Sequence, residues 1–150
     1  MMKRILMVCV GNICRSPMAE ALMKQKLPTT IVSSAGIGAL VGHSADPIAI
    51  ELMQSRGLDI TIHRAQQITD DLCVQNDIIL VMEDSHKKYI EDNFPTTRGR
   101  VFKLGQASRV DIPDPYKQDK TAFDFSLALI EHGVNPVSYT HLTLPTTPYV

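Results

Sequence analysis

Ten residues near the start of the chain, Val8-Cys9-Val10-Gly11-Asn12-Ile13-Cys14-Arg15-Ser16-Pro17, concentrate groups able to act on a tetrahedral anion. A cysteine closes a short apolar run, an arginine follows six residues later, and Ser16-Pro17 reads as a helix N-cap with proline at the first helical position. A loop that ends at a helix N-terminus faces unpaired N–H groups and the positive end of the helix dipole, and both favour an anion. Gly11 permits the sharp turn that aims successive N–H groups inward as a nest. Arg15 adds a planar fork for two oxygens. The same positive field favours the thiolate of Cys9, the nucleophilic form. A cysteine in a strand is usually a buried, inert thiol; Cys9, Gly11, Arg15 and Ser16 together predict a phosphate cradle with a reactive sulfur at its floor. A Walker-type nucleotide loop would need Gly-Lys-Ser/Thr where this chain has Cys14-Arg15-Ser16.

A sulfur that displaces an alkoxide or phenolate from phosphorus needs a proton donor for the departing oxygen. Asp111-Ile112-Pro113-Asp114-Pro115-Tyr116 offers one, because two prolines flank Asp114 and restrict its backbone. Taken alone the segment is an ordinary proline-rich turn; beside a nucleophile cradle it becomes a candidate acid loop.

Parts so far apart in sequence must be brought together by a regular scaffold. Ile5 to Val10, Thr30 to Ser33, Ile78 to Met82 and Val101 to Leu104 read as strands, and Ile78 to Met82 is apolar on both faces, as a central strand covered on both sides should be. Pro17 to Lys26, Asp46 to Arg56 and Ser85 to Asn93 carry helical spacing, and a last helix runs from about Asp119, with Phe123, Leu127 and Ile130 on one face and Gly133 as its stop. Alternation of strand and helix predicts an α/β fold: a single three-layer domain with a four-stranded parallel sheet flanked by helices and the phosphate loop after the first strand.

Composition narrows the function classes. The chain has 150 residues, 15 Lys+Arg against 16 Asp+Glu, and 44% apolar residues. Such a domain buries roughly 70% of its unfolded surface without staples. Balanced charge removes the main reason to expect nucleic acid as a partner. No apolar run is long enough to span a membrane, and the Ile5 to Val10 run, ended by Gly11, Asn12 and Arg15, is not a signal peptide. Three cysteines without paired spacing point to a reducing, cytoplasmic setting, and the five histidines show no ligand spacing with them, so neither metal nor other cofactor is expected. A monomer is expected.

Cys9 to Pro17, combined with the distant Asp114-Pro115-Tyr116, resembles the low-molecular-weight protein tyrosine phosphatases, and the likeness spans about residues 3 to 136. The resemblance implies that Cys9 attacks phosphorus to form a phosphocysteine while Arg15 and the loop of Val10, Gly11, Asn12, Ile13 and Cys14 hold the oxygens. Asp114 would protonate the tyrosyl oxygen and later activate water; Ser16 would hydrogen-bond the sulfur. Asn12, Ser34 and His63 match the family's supporting network. Tyr116 and, on the facing wall, Leu40 would flank the substrate ring. Cys14 would be a redox partner for Cys9.

Leu40, Lys117 after Asp-Pro-Tyr, Ala45-Asp46-Pro47 and Val81-Met82-Glu83 resemble the Gram-negative branch that acts on a membrane-bound tyrosine autokinase of capsule and exopolysaccharide export. Two alternatives use the same loop. An arsenate reductase of this fold would need two relay cysteines beyond the loop, where only Cys73 remains. A phosphate-binding module without chemistry would be favoured by loss of Cys9, Arg15 or Asp114, and all three are present.

Val137 to Val150 (VSYTHLTLPTTPYV) holds none of the chain's Lys, Arg, Asp or Glu, but has four threonines and two prolines. It resembles the conceptual translation of a transposase sequencing adapter, so the domain is expected to end at residue 136 with its last helix truncated. Helix is expected from Asp119 to about His132, with an irregular remainder.

Overall fold

The computed structural model describes residues 3–104 and 110–136. Strand β1 (Arg4–Cys9) lies inside the sheet, parallel both to β2 (Ile31–Gly36) and to β3 (Ile78–Val81), and β4 (Val101–Lys103) extends the sheet beyond β3. The order β2-β1-β3-β4 is the expected four-stranded parallel sheet. Strands β1 and β3 are apolar on both faces because both faces are covered. Ile5, Met7, Cys9, Leu80 and Met82 join a core with α1 (Arg15–Lys26), α2 (Pro47–Gln54) and α5 (Lys120–Pro136). Leu6, Val8, Ile79 and Val81 pack on the other side, with Cys73 of α3 (Asp70–Gln75) and Ile90 of α4 (Asp84–Asn93).

Local chemistry sets most boundaries. Asp46 caps α2 by accepting from the Ile48 N–H at 2.9 Å, with Pro47 following, and Asp119 accepts from the Ala122 N–H at 3.0 Å at the start of α5. Helix α3 was not anticipated. Six residues are too few for periodicity, although Thr69, which accepts from the Leu72 N–H, and the acidic Asp70-Asp71 are its start signals.

Two expectations fail. Ser16 is not the N-cap of α1: the cap position is Cys14, the helix begins at Arg15, and the Ser16 hydroxyl is engaged elsewhere. Gly133 does not stop the last helix, which continues to Pro136. A Cβ at Gly133 would lie 2.6 Å from the Leu104 carbonyl oxygen, so the glycine is where α5 presses on the end of β4. Residues 137–150, expected to be an irregular appended string, lie outside the described residues. Among the described residues no helix is long and apolar enough to cross a membrane.

Candidate active site

The phosphate loop leaves β1 at Cys9 and re-enters regular structure at Arg15. It curls around the sulfur: the Asn12 N–H points at Cys9 Sγ at 3.3 Å, and Ser16 Oγ stands 3.0 Å from it. Asn12 makes the turn with φ of 60°, a left-handed conformation that asparagine tolerates better than most side chains.

A buried hydrogen-bond chain holds this shape. Asn12 Nδ2 donates to Ser16 Oγ at 2.7 Å and to Ser34 Oγ at 3.0 Å, and Ser34 Oγ donates to Glu20 Oε1 at 2.6 Å. Because Ser16 accepts from Asn12, its own proton is available to the sulfur. Asn12 Oδ1 accepts from the Gln66 N–H at 2.9 Å. The Asn12 carbonyl lies 2.7 Å from His63 Nε2, and since a carbonyl only accepts, that nitrogen carries the proton. Asn12, Ser34 and His63 thus meet in one network, which Glu20 and Gln66, not singled out in the sequence, also join.

The segment after β2 runs alongside the loop. The amides of Ile37, Gly38 and Leu40 donate to the carbonyls of Cys9, Val10 and Gly11 at 2.9, 2.9 and 3.1 Å. This parallel seam brings Leu40 to the cleft, and it requires Gly36, where a Cβ would lie 2.4 Å from the Val10 carbonyl oxygen.

Arg15 is 1% exposed. Its Nη1 donates to Glu83 Oε2 at 2.5 Å and to the Ile112 carbonyl at 2.8 Å. Among the described residues Nε is buried with no partner, and Nη2 has only a long contact of 3.6 Å to Asp114 Oδ2. One edge of the guanidinium is therefore locked, and the Nε–Nη2 edge remains for a bidentate oxyanion. Glu83, the residue that precedes α4, enters the sequence analysis only as part of a branch resemblance; its role as the anchor of Arg15 was missed. His86 lies beside this pair, 5% exposed, with Nε2 3.7 Å from Glu83 Oε2. Burial and then the Arg15 charge hold its pKa below the ordinary histidine value.

Asp114 reaches the cleft on a loop pinned by the Ile112 N–H to the Met82 carbonyl at 2.8 Å and by Ser126 Oγ to the Pro113 carbonyl at 2.7 Å. Its Oδ1 accepts from the Tyr116 N–H at 3.0 Å. The resulting cleft, about 120 Å³, is lined by Cys9, Arg15 and Asp114, and by Val10, Gly11, Ile13, Cys14, Leu40 and Tyr116, with Gly38 beside them. Asn12 and Ser16, expected to contact substrate, are fully buried behind the loop, with their side chains spent on the network. Cys14 is a free thiol, pushed far above its usual range by burial first and then by the charges of Asp46, Cys9 and Asp114. Among the described residues no cluster of three or more His, Cys, Asp or Glu is placed to hold a metal.

The family model described as low molecular weight phosphotyrosine protein phosphatase matches residues 4–141. A protein of Ralstonia nicotianae named as a probable low molecular weight protein-tyrosine-phosphatase, EpsP, is 52% identical over 135 residues, covering 90% of this chain and 93% of the relative. The low molecular weight protein-tyrosine-phosphatase Wzb of Escherichia coli K12 is 43% identical over 134 residues, with 89% and 91% covered. The structure of Vibrio vulnificus Wzb in complex with benzylphosphonate superposes with a TM-score of 0.89 at 41% identity, covering 93% of this chain and 99% of that one.

Proposed function

The chain belongs to the low molecular weight phosphotyrosine protein phosphatases, and from that premise we propose that it hydrolyses phosphotyrosine through a phosphocysteine on Cys9. The observation that carries the reading is the convergence of Cys9 Sγ, the unengaged edge of Arg15 and the Asp114 carboxyl on one cleft, from two ends of the chain.

In the first step Cys9 Sγ attacks phosphorus in line, the bond from phosphorus to the tyrosyl oxygen breaks, and the Asp114 proton goes to that oxygen. The loop amides and the Arg15 Nε–Nη2 edge hold the equatorial oxygens as charge redistributes. In the second step the Asp114 carboxylate takes a proton from water, the water oxygen bonds to phosphorus, and the bond from phosphorus to sulfur breaks. The Ser16 hydroxyl, 3.0 Å from the sulfur, stabilises the departing thiolate. Leu40 and Tyr116 form apolar walls for the aryl ring.

We propose as target a membrane-bound tyrosine autokinase of capsule or exopolysaccharide export, a reading supported by the branch features of Leu40 and Lys117 and by the likeness to EpsP and Wzb. The enzyme would act as a cytoplasmic monomer, with residues 1–136 as the domain and 137–150 as a non-native tail, although the family match includes the first five residues of that tail. Genomic DNA encoding the same tail in an independently sequenced strain would remove the last point. The reductase alternative is disfavoured because Cys73, the remaining cysteine, is fully buried in the core on the opposite face of the sheet from Cys9.

Aryl-phosphate turnover tests the mechanism. Cys9→Ser should abolish it, Asp114→Ala should depress it mainly for poor leaving groups, and Arg15→Lys should be severe because a point charge replaces a fork. Near-native turnover in Cys9→Ser would end the phosphocysteine scheme. Release of phosphate from the purified phosphorylated autokinase tests the target.

A further inference from the structure

A charged cluster outside the catalytic scheme lies beneath the acid loop. Lys103, the last residue of β4, is only 7% exposed. Its Nζ stands 2.9 Å from Asp111 Oδ1 and 3.3 Å from Asp84 Oδ2. Asp111 Oδ1 also accepts from the Asp84 N–H at 3.1 Å, the first amide of α4. One carboxylate oxygen therefore ties the end of a strand and the start of a helix to the beginning of the acid loop.

Exposed ion pairs usually contribute little, because two long side chains must be ordered in high dielectric. This one differs on the lysine side. Its backbone is fixed in register opposite Val81 and its stem is buried, so little freedom is left to lose. Each partner also keeps the other charged: Asp111 is held below the usual carboxylate value, mainly by the Lys103 hydrogen bond, and Lys103 is raised because its two carboxylates outweigh burial.

Only two residues separate Asp111 from Asp114. Ile112 is pinned by its N–H to Met82 and its carbonyl to Arg15, and Pro113 has a restricted φ. The anchored Ile112 is therefore a pivot: loss of the clamp frees the segment to turn about it, which swings Asp114, while the bonds of Ile112 itself keep Arg15 in place.

We propose that Lys103 and Asp111 are positioning residues, a clamp that sets the Asp114 carboxyl over the leaving-group side of the cradle. The inference rests on the assignment of Asp114 as the general acid. It concerns proton delivery alone, since neither clamp residue lines the anion loop.

The test compares kcat/KM for phenyl phosphate, whose leaving group needs a proton, with that for 2,4-dinitrophenyl phosphate, whose leaving group does not. Because misplacement by about 1 Å can cost on the order of 100-fold, a partly loosened acid in Lys103→Met should lower phenyl phosphate turnover about tenfold and leave the dinitrophenyl ester within about twofold. Inorganic phosphate should inhibit Lys103→Met and wild type equally. Lys103→Arg should recover most of the loss, and Asp111→Asn, nearly isosteric, supplies the same test if Lys103→Met fails to fold. Adding Lys103→Met to Asp114→Ala should cause no further loss. Equal loss on both esters, no loss, or full additivity with Asp114→Ala would overturn the clamp. If Asp114→Ala shows no leaving-group dependence, the acid assignment fails and the clamp with it; if that dependence is steep but absent in both clamp variants, the clamp alone is wrong.

Discussion

Gly36→Ala should damage catalysis by steric means alone. The added Cβ would sit 2.4 Å from the Val10 carbonyl oxygen, where ordinary contact begins near 3.4 Å, and 3.1 Å from both Ala39 Cα and Ala39 Cβ. None of these neighbours can step aside easily. The Val10 carbonyl accepts from Gly38, the Gly36 N–H donates to Gln66, and the Gly36 carbonyl accepts from Ile68, each at 2.9 Å. Relief therefore requires moving the phosphate loop by about 1 Å, at an overpacking cost of about 1–3 kcal/mol. At roughly 2–4 °C per kcal/mol for a chain of this size, the melting temperature should fall by about 2–12 °C. A 1 Å shift of the residues next to Cys9 should cost on the order of 100-fold in kcat/KM. Gly133→Ala is the matched control. Its Cβ meets the Leu104 carbonyl oxygen at 2.6 Å, so stability should fall comparably, but the strain lies between α5 and β4 and turnover at permissive temperature should stay within about twofold. Aryl-phosphate kinetics and thermal melts on both variants decide the matter. Wild-type turnover in Gly36→Ala, or an equal loss of turnover in both variants, would refute the reasoning.

Asn12→Ala removes three hydrogen bonds of 2.7–3.0 Å, two buried and one part-buried, and leaves a left-handed φ on a less tolerant residue, so at about 1 kcal/mol per bond the cost should be roughly 3 kcal/mol; a denaturant midpoint unchanged from wild type would contradict this. His86 is held below its unfolded value of about 6.5, so the unfolded chain binds the proton first as pH falls. Its contribution is complete above that value and is lost as pH drops through the folded one. Unfolding free energy should therefore decline on acidification below about pH 6.5 more steeply in wild type than in His86→Phe, and parallel profiles would discard the assignment. Peroxide should oxidise Cys9 to a sulfenic acid, and attack by the Cys14 sulfur should then give a disulfide and water, so that thiol restores activity in wild type far better than in Cys14→Ser. Equal recovery would sink the redox pairing.

The cradle was legible because its parts are adjacent in sequence and each carries a local signal: an apolar strand ending in cysteine, a glycine turn, an arginine and a helix start. The Ser16-Pro17 pair was misread for an instructive reason. A serine before proline looks like a cap, but this hydroxyl is taken by Cys9 and Asn12, and the helix begins two residues earlier than Pro17, at Arg15. Gly133 shows the same limit, since a glycine late in a helical pattern resembles a stop until the Leu104 carbonyl beneath it is known. Glu83 carries no local signal at all. Its meaning comes from the parallel pairing of β1 with β3, which brings it to Arg15 across 68 positions.

The two halves of the cleft differ in when they can assemble. Cys9, Asn12 and Ser16 meet within seven positions, whereas the Ile112 carbonyl reaches Arg15 across 97. Loop-closure entropy is paid before a long-range contact repays it, so local pieces organise first and distant ones join late. The anion loop, whose most distant supports are Gln66 and Glu83, is thus predicted to close before the acid loop, which must arrive from residue 112. A refolding chain should thus regain affinity for an oxyanion such as vanadate before it regains turnover of phenyl phosphate, and recovery of both with one time constant would show the halves folding together. In the interval the molecule is a receptor that is not yet an enzyme.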